Sequence, residues 1–221
     1  MRENLFLFLF QNIHGEYLER GDYYLDPFQT SLVNYEPSFI PSNQTALFFS
    51  QFMGLNFTKA HHTRSVIWFG PVDYFYGSVN LRKCPIESND TIYNLSEKLS
   101  NYLHANFNSC LVNLYMDESQ MVPKHSDDEA IFGNDPVIAS LSFGAARKFI
   151  IEPKNDEKSR KRYYETQYLK SIKSRFTFCL SDGDLLVMRG AMQRYWNHSV
   201  PPETTSCGPR INLTFRNVIR I

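Results

Sequence analysis

The closing stretch of the chain constrains the fold most. From Arg210 to Arg216, polar and apolar residues alternate without a break: Arg210, Asn212, Thr214 and Arg216 are separated by Ile211, Leu213 and Phe215. Successive side chains of a strand point to opposite faces, so this period lays the apolar residues on a core and the polar ones on the other side. A helix would scatter both sets around its axis. Strand-type runs recur through the second half and predict strands over residues 110–115, 137–143, 148–152, 175–180 and 184–188. Earlier the period is helical. Residues 42–53 read as a helix capped by Ser42 and stopped by Gly54, with Leu47, Phe48 and Phe52 on its apolar face. Residues 90–107 read as a second, with Ile92, Leu95, Leu99, Tyr102 and Leu103 at helical spacing. Helices first and strands later predict a β-rich α+β fold, with helices packed outside a sandwich of sheets.

A chain of 221 residues suits one domain, and a hydrophobic content of 43% is enough for a sizeable core. The formal net charge is zero, which excludes the strongly basic coat of a general nucleic-acid binder but not a local patch. One such patch is residues 154–175, with eight basic and three acidic residues, which suits either phosphate contact or a solvated insertion between strands. Cys84, Cys110, Cys179 and Cys207 form no Cys-x-x-Cys pair, so free thiols in a reducing compartment are the simplest account. The apolar run from Leu5 to Phe10 is too short to span a membrane and reads as a strand or a packed terminus. The triplet Asn197-His198-Ser199 would put a glycan on a candidate site residue. An intracellular protein with no membrane partner is expected.

The chemistry resides in His125-Ser126-Asp127 and the much later His198. Two neutral imidazoles and a carboxylate make a facial iron site, which leaves coordination positions open for a co-substrate and oxygen. Spaced by two, His125 and Asp127 would point to one face of a strand. His61-His62 reads as an exposed loop and not as a second metal site. Arg210 and Arg216 offer guanidinium forks, which match a carboxylate in a way that lysine cannot.

These segments resemble one family. Asn113-Leu114-Tyr115, His125-Ser126-Asp127-Asp128-Glu129, the Pro136 to Ala145 segment, Gly183-Asp184-Leu185-Leu186-Val187-Met188, His198 and Pro209-Arg210-Ile211-Asn212-Leu213-Thr214-Phe215-Arg216 are similar to the AlkB family. The resemblance runs in order from about Trp68 to Arg216 and is strongest after Asn113. It implies a double-stranded β-helix, or jelly roll, in a single domain over residues 1–221. About 1–107 would supply supporting helices and a base-recognition lid, and about 108–221 the catalytic core. It implies Fe(II) held by His125, Asp127 and His198, with 2-oxoglutarate and O2 as co-substrates. Arg210, helped by Tyr115 and Asn212, would take the distal carboxylate of 2-oxoglutarate. Arg216 and Asn113 would lie towards the carboxylate nearest the metal.

The implied activity is oxidative demethylation of 1-methyladenine and 3-methylcytosine in DNA or RNA, releasing formaldehyde, succinate and CO2. Asp128 and Glu129 would read the exocyclic amino group, because a carboxylate accepts from such a group at a base edge. Tyr76, with Tyr74 nearby, would stack on the flipped base against His125, while Phe75, which alternates with the two tyrosines, would pack into the core. Tyr195 and Trp196 read as walls of the pocket. Only Phe57 offers a wedge for a duplex between residues 55 and 62, so a mild preference for single strands follows, with the protein acting as a monomer. Two rivals stand beside this reading: the same chemistry on a protein or lipid, and a nucleic-acid-binding module without catalysis.

Overall fold

The computed structural model describes residues 17–26, 28–60, 64–76, 79–154 and 175–219. Every strand pairing in it is antiparallel. The larger sheet has eight strands: β1 (Gly21–Tyr24), β2 (Ser31–Glu36), β3 (Thr58–Ala60), β4 (Arg64–Phe69), β7 (Ser109–Tyr115), β9 (Ile138–Gly144), β12 (Leu185–Gly190) and β14 (Arg210–Arg216). Their order is β1-β2-β12-β9-β14-β7-β4-β3. The smaller sheet runs β11 (Phe176–Leu180), β10 (Arg147–Pro153), β13 (Trp196–Val200), β8 (Val122–His125). A separate hairpin joins β5 (Tyr74–Tyr76) to β6 (Val79–Leu81).

The alternating segment 210–216 becomes β14, held between β7 and β9. Its register sets Ile211 against Leu114 and Phe143, and Leu213 against Val112 and Leu141. These residues share one buried cluster with Phe52 of helix α1 (Ser42–Met53) and with Ile92, Leu95, Leu99 and Leu103 of helix α2 (Asp90–Leu103). Helix packing therefore covers the apolar face of the larger sheet. The opposite face meets the smaller sheet through a second cluster. Tyr35, Tyr115, Ile138 and Met188 pack there against Phe149, Phe178 and Trp196.

Several local expectations change. Helix α1 begins at Ser42 itself, and no side-chain hydrogen bond caps it. Leu47 is 62% exposed, because the buried stripe runs instead through Thr45, Phe48 and Phe52. Helix α2 ends at Leu103, where His104 turns left-handed, and Asn89 caps its start by accepting from the Ile92 N–H at 3.0 Å. Tyr102 is half exposed and leans on Phe39. Sequence order also misleads: β1 to β4 come from the first half of the chain yet supply half of the larger sheet.

The turn into β12 is fixed by Gly183 and Asp184. Gly183 has φ +84, and a Cβ there would sit 2.4 Å from the Ile40 carbonyl oxygen, so only glycine fits without strain. Asp184 accepts from Tyr35 Oη at 2.7 Å and from the Ser38 and Ser181 N–H groups. That network ties β2 to the loop that precedes β12. The segment 5–10 and His61-His62 lie outside the described residues, as does the stretch 154–175 apart from its two end residues.

Candidate active site

The polar face of β14 lines a cleft between the two sheets. Asn212, Thr214 and Arg216 meet Asn113 there, opposite His125 and His198 of the smaller sheet. Register explains the meeting of the histidines. His125 ends β8 and is the direct cross-strand partner of His198 on β13, with ring centroids 4.3 Å apart. Phe149, from β10, stacks on His198 at 5.4 Å.

Asp127 lies just past the end of β8, so its position is not a matter of strand pleat alone. Its N–H donates to Gln193 Oε1 at 3.0 Å, and Gln193 comes from the short helix α3 (Met192–Tyr195). Asp127 Oδ2 accepts from Arg216 Nε at 3.1 Å and Nη2 at 2.7 Å. Oδ1 has no hydrogen-bond partner among the described residues. It stands 3.6 Å from His125 Nε2, while Oδ2 is 4.0 Å from His198 Nε2. One ligand atom from each of the three residues falls within 4.8 Å of the others.

Electrostatics prepares these groups as ligands. Burial by itself would raise the Asp127 carboxyl, but the Arg216 charge and its hydrogen bonds hold it well below the usual carboxylate range. Burial, with the neighbouring His125, pushes the His198 imidazole down to about 3, so it is neutral near pH 7. His125 Nδ1 lies 2.9 Å from the Pro123 carbonyl oxygen. An Nδ1–H donor there leaves the Nε2 lone pair facing the other two groups. A buried carboxylate oxygen without a partner costs about 1–3 kcal/mol. A divalent cation would complete that oxygen together with the two imidazole nitrogens, so the donor set fits iron.

The second fit concerns Arg210, which is fully buried and donates from Nη2 to Ser142 Oγ at 2.9 Å. Its Nε and Nη1 have no hydrogen-bond partner among the described residues. Tyr115, its cross-strand partner, places its ring 5.2 Å from the guanidinium carbon. A buried cation with two idle donors suits a carboxylate ligand. Asn212 is committed within the sheet, donating to Ser140 Oγ and to the Leu141 carbonyl and accepting from Thr214. Asn113 accepts from Arg64 Nε at 2.8 Å. Arg216 is a direct support of Asp127, a contact that sequence alone did not reveal.

On the outer side, the β5 expectation is inverted. Phe75 is 70% exposed, whereas Tyr74 is 1% exposed and packs between Trp68 and Phe132. Tyr74 turns inward, and its Oη donates to Glu129 Oε1 at 2.9 Å. The Tyr76 side chain lies outside the described residues. Asp128 is exposed and pairs with Lys154 at 2.8 Å. Trp196 packs in the inter-sheet cluster with Phe176 and not on the cleft. Sequence reasoning missed Arg64, Ser142 and Gln193. Ser142 lies within the Pro136 to Ala145 segment but was given no role there, Arg64 and Gln193 sit in no motif, and only the fold brings the three to the site.

A family model described as the 2OG-Fe(II) oxygenase superfamily matches residues 43–216, which span every group above. The chain belongs to the 2OG-Fe(II) oxygenase superfamily. Enzymes of this superfamily use Fe(II), 2-oxoglutarate and O2. Its relatives set it in the AlkB branch. It is 39% identical over 155 residues to the alpha-ketoglutarate-dependent dioxygenase alkB homolog 3 of Mus musculus, covering 70% of this chain and 51% of that protein. It is 44% identical over 124 residues to the DNA oxidative demethylase ALKBH2 of Arabidopsis thaliana, covering 51% of this chain and 38% of that protein. The chain thus spans about half the length of the curated relatives it matches. A solved structure of OsALKBH1 superposes with a TM-score of 0.56 at 16% identity, covering 91% of this chain and 100% of that one, and shows a common fold. Among the described residues, no helix is long and apolar enough to cross a membrane.

Proposed function

We propose that this chain is an Fe(II)- and 2-oxoglutarate-dependent demethylase of N-alkylated nucleobases in DNA or RNA. The observation that carries this reading is a pair of complementary deficits in one region of the fold. Asp127 Oδ1 lacks a donor beside two imidazoles, and buried Arg210 lacks acceptors for two of its nitrogens. His125, Asp127 and His198 would hold the metal. Arg210, with Tyr115, would take the distal carboxylate of 2-oxoglutarate, and Asn113, Asn212 and Arg216 would frame the rest of it.

Loaded with iron, 2-oxoglutarate and O2, the site would hydroxylate the N-methyl carbon and release succinate and CO2. A hydroxymethyl group on a base nitrogen then falls apart to formaldehyde and the repaired base. The protein's part is orientation. Arg216 fixes the Asp127 carboxylate so that one oxygen faces the imidazoles. Asp128 would accept from the exocyclic amino group of 1-methyladenine or 3-methylcytosine. Glu129, held by Tyr74, would stand behind it. Hairpin β5–β6 would form the lid, with Tyr76 stacking on the base. The methyl group is out of reach inside a duplex, so the base must be extruded or already single-stranded, and single strands are preferred.

The described residues would form one dioxygenase domain, acting as a monomer. Four free cysteines support a reducing, intracellular compartment. A panel of methylated DNA and RNA oligonucleotides, single and double stranded, tests the proposal. O2-dependent succinate and formaldehyde should appear only with methylated strands, and His125→Ala should abolish both. Succinate formation stimulated by a peptide or lipid, and by no oligonucleotide, would overturn the nucleobase assignment.

A further inference from the structure

One buried cation has no part in the chemistry above. Arg147 opens β10, and its side chain is fully enclosed. Burying a guanidinium is costly unless its donors are met. Here main-chain carbonyls meet them. Nη1 donates to the Asp117 carbonyl at 3.3 Å, and Nη2 donates to those of Gln120 at 2.6 Å and Pro201 at 2.8 Å. Glu203 Oε1 stands 3.7 Å from Nε as an ionic partner. Asp117 and Gln120 lie in the connection from β7 to β8, which begins directly after Tyr115. Pro201 and Glu203 lie in the connection from β13 to β14, which leads to Arg210. The Glu203 N–H donates to the Glu118 carbonyl at 2.9 Å, so the two connections also meet directly. Arg147 reaches the ring of Tyr115 as well. Its guanidinium carbon is 5.4 Å from the ring centroid, and that of Arg210 is 5.2 Å from it. Both distances lie within cation–π range. One ring thus sits against two guanidiniums. Arg147 has both terminal nitrogens committed to backbone carbonyls, whereas Arg210 keeps Nε and Nη1 idle.

We propose that Arg147 is a positioning residue for the co-substrate: by fixing the Tyr115 ring, it keeps Arg210 aimed at the distal carboxylate of 2-oxoglutarate. This rests on the assignment of that carboxylate to Arg210 in the functional reading above. A guanidinium matches a carboxylate through the plane of its fork, so a ring that tilts beside Arg210 lets the match degrade. Arg147 prevents the tilt from the side of the backbone, because it anchors to the connection that follows the ring. The effect is confined to the distal end. His125, Asp127 and His198 take their support from other groups: the Pro123 carbonyl, Gln193 with Arg216, and Phe149.

The test compares 2-oxoglutarate with 2-oxovalerate, in which a methyl group replaces the distal carboxylate, by calorimetric titration of iron-loaded protein without O2. Arg147→Lys keeps the charge but has no planar fork to span the two connections. The preference for 2-oxoglutarate over 2-oxovalerate should fall by about tenfold, with 2-oxoglutarate bound more weakly and 2-oxovalerate bound as before. Iron affinity should match the wild type. In a Tyr115→Leu background the same substitution should leave the preference unchanged, because the ring through which Arg147 acts is gone. Arg147→Gln, which keeps amide donors, gives the same comparison if the buried site does not accept lysine. Equal weakening of the two compounds would make Arg147 a general support of the fold and overturn the proposal. A wild-type preference in the folded variant would also overturn it, as would an undiminished loss in the Tyr115→Leu background. Wild-type protein with no preference for 2-oxoglutarate would instead overturn the assignment of the distal carboxylate to Arg210, which keeps the two failures distinct.

Discussion

Strand β14 and hairpin strand β5 share a sequence pattern and treat it in opposite ways. Both alternate residue by residue. In β14 the apolar set faces the helices, and Asn212, Thr214 and Arg216 of the polar set face the cleft, yet both sets are buried. In β5 the purely apolar residue, Phe75, faces solvent, and Tyr74 is the one that is buried. Alternation establishes which residues share a face. Which face turns inward is decided by the partners waiting there. For β14 those are Leu114, Phe143 and their neighbours on two flanking strands. For β5 they are Trp68, Phe132 and the acceptor on Glu129. A central strand is pinned from both sides, whereas a hairpin is free to present whichever face finds better contacts.

The largest effect expected from this contrast lies on β14. Arg216→Ala strands a buried Asp127 carboxylate, and losing one partner of a buried pair costs about 3–5 kcal/mol. Urea unfolding of the metal-free protein measures it, and a loss below about 1 kcal/mol would show the pair to be solvated in practice.

Acid should expose the same face. The folded pKa of His198 is depressed to about 3, while its unfolded value is ordinary, roughly 6.5. The unfolded chain therefore binds a proton that the folded one refuses, and stability falls as pH drops from about 6.5 towards 3. Asp127, depressed by Arg216, adds a loss that begins as pH falls through the ordinary carboxylate range, where the unfolded chain takes up the proton, and continues below it. Metal-free His198→Gln should lack the first of these losses. A variant with the wild-type pH profile would assign that window to other groups.

Arg210→Lys keeps the charge but not the planar donors, so the apparent affinity for 2-oxoglutarate should fall by roughly tenfold. An unchanged titration curve would place the carboxylate elsewhere. On the hairpin the effects shrink. Tyr74→Phe should cost about 1 kcal/mol for the lost bond to Glu129. Phe75→Ala should stay within about 0.5 kcal/mol of the wild type. A larger loss for Phe75→Ala than for Tyr74→Phe would break the comparison.

The legible parts of the chain were those with long, regular patterns. The 210–216 alternation, the helix at 42–53 and the core positions Ile92, Leu95, Leu99 and Leu103 all have enough turns or pleats for a period to show. The metal ligand set was visible from residue type, and its convergence is supported by a register that no spacing encodes, His125 against His198. Less was legible where elements are short. Strand β8 reads Val122-Pro123-Lys124-His125, and a proline there is tolerated because β8 is an edge of the smaller sheet. Strands β1 and β3 have four and three residues, too few for periodicity to separate from chance. Arg64 could not be found by motif, because its place in the cleft depends on β4 pairing with β7.

The contact between Arg216 and Asp127 has a consequence for supply. Small zinc domains have no fold until their metal arrives, so metal starvation removes the protein itself. Here the carboxylate proposed as a ligand already has its counter-charge in the polypeptide, the Arg216 guanidinium. We expect folding and loading to be separate events, with metal-free protein giving a cooperative unfolding transition in urea. A cell short of iron would hold intact, idle protein, ready for activation as soon as iron returned, with no new synthesis required.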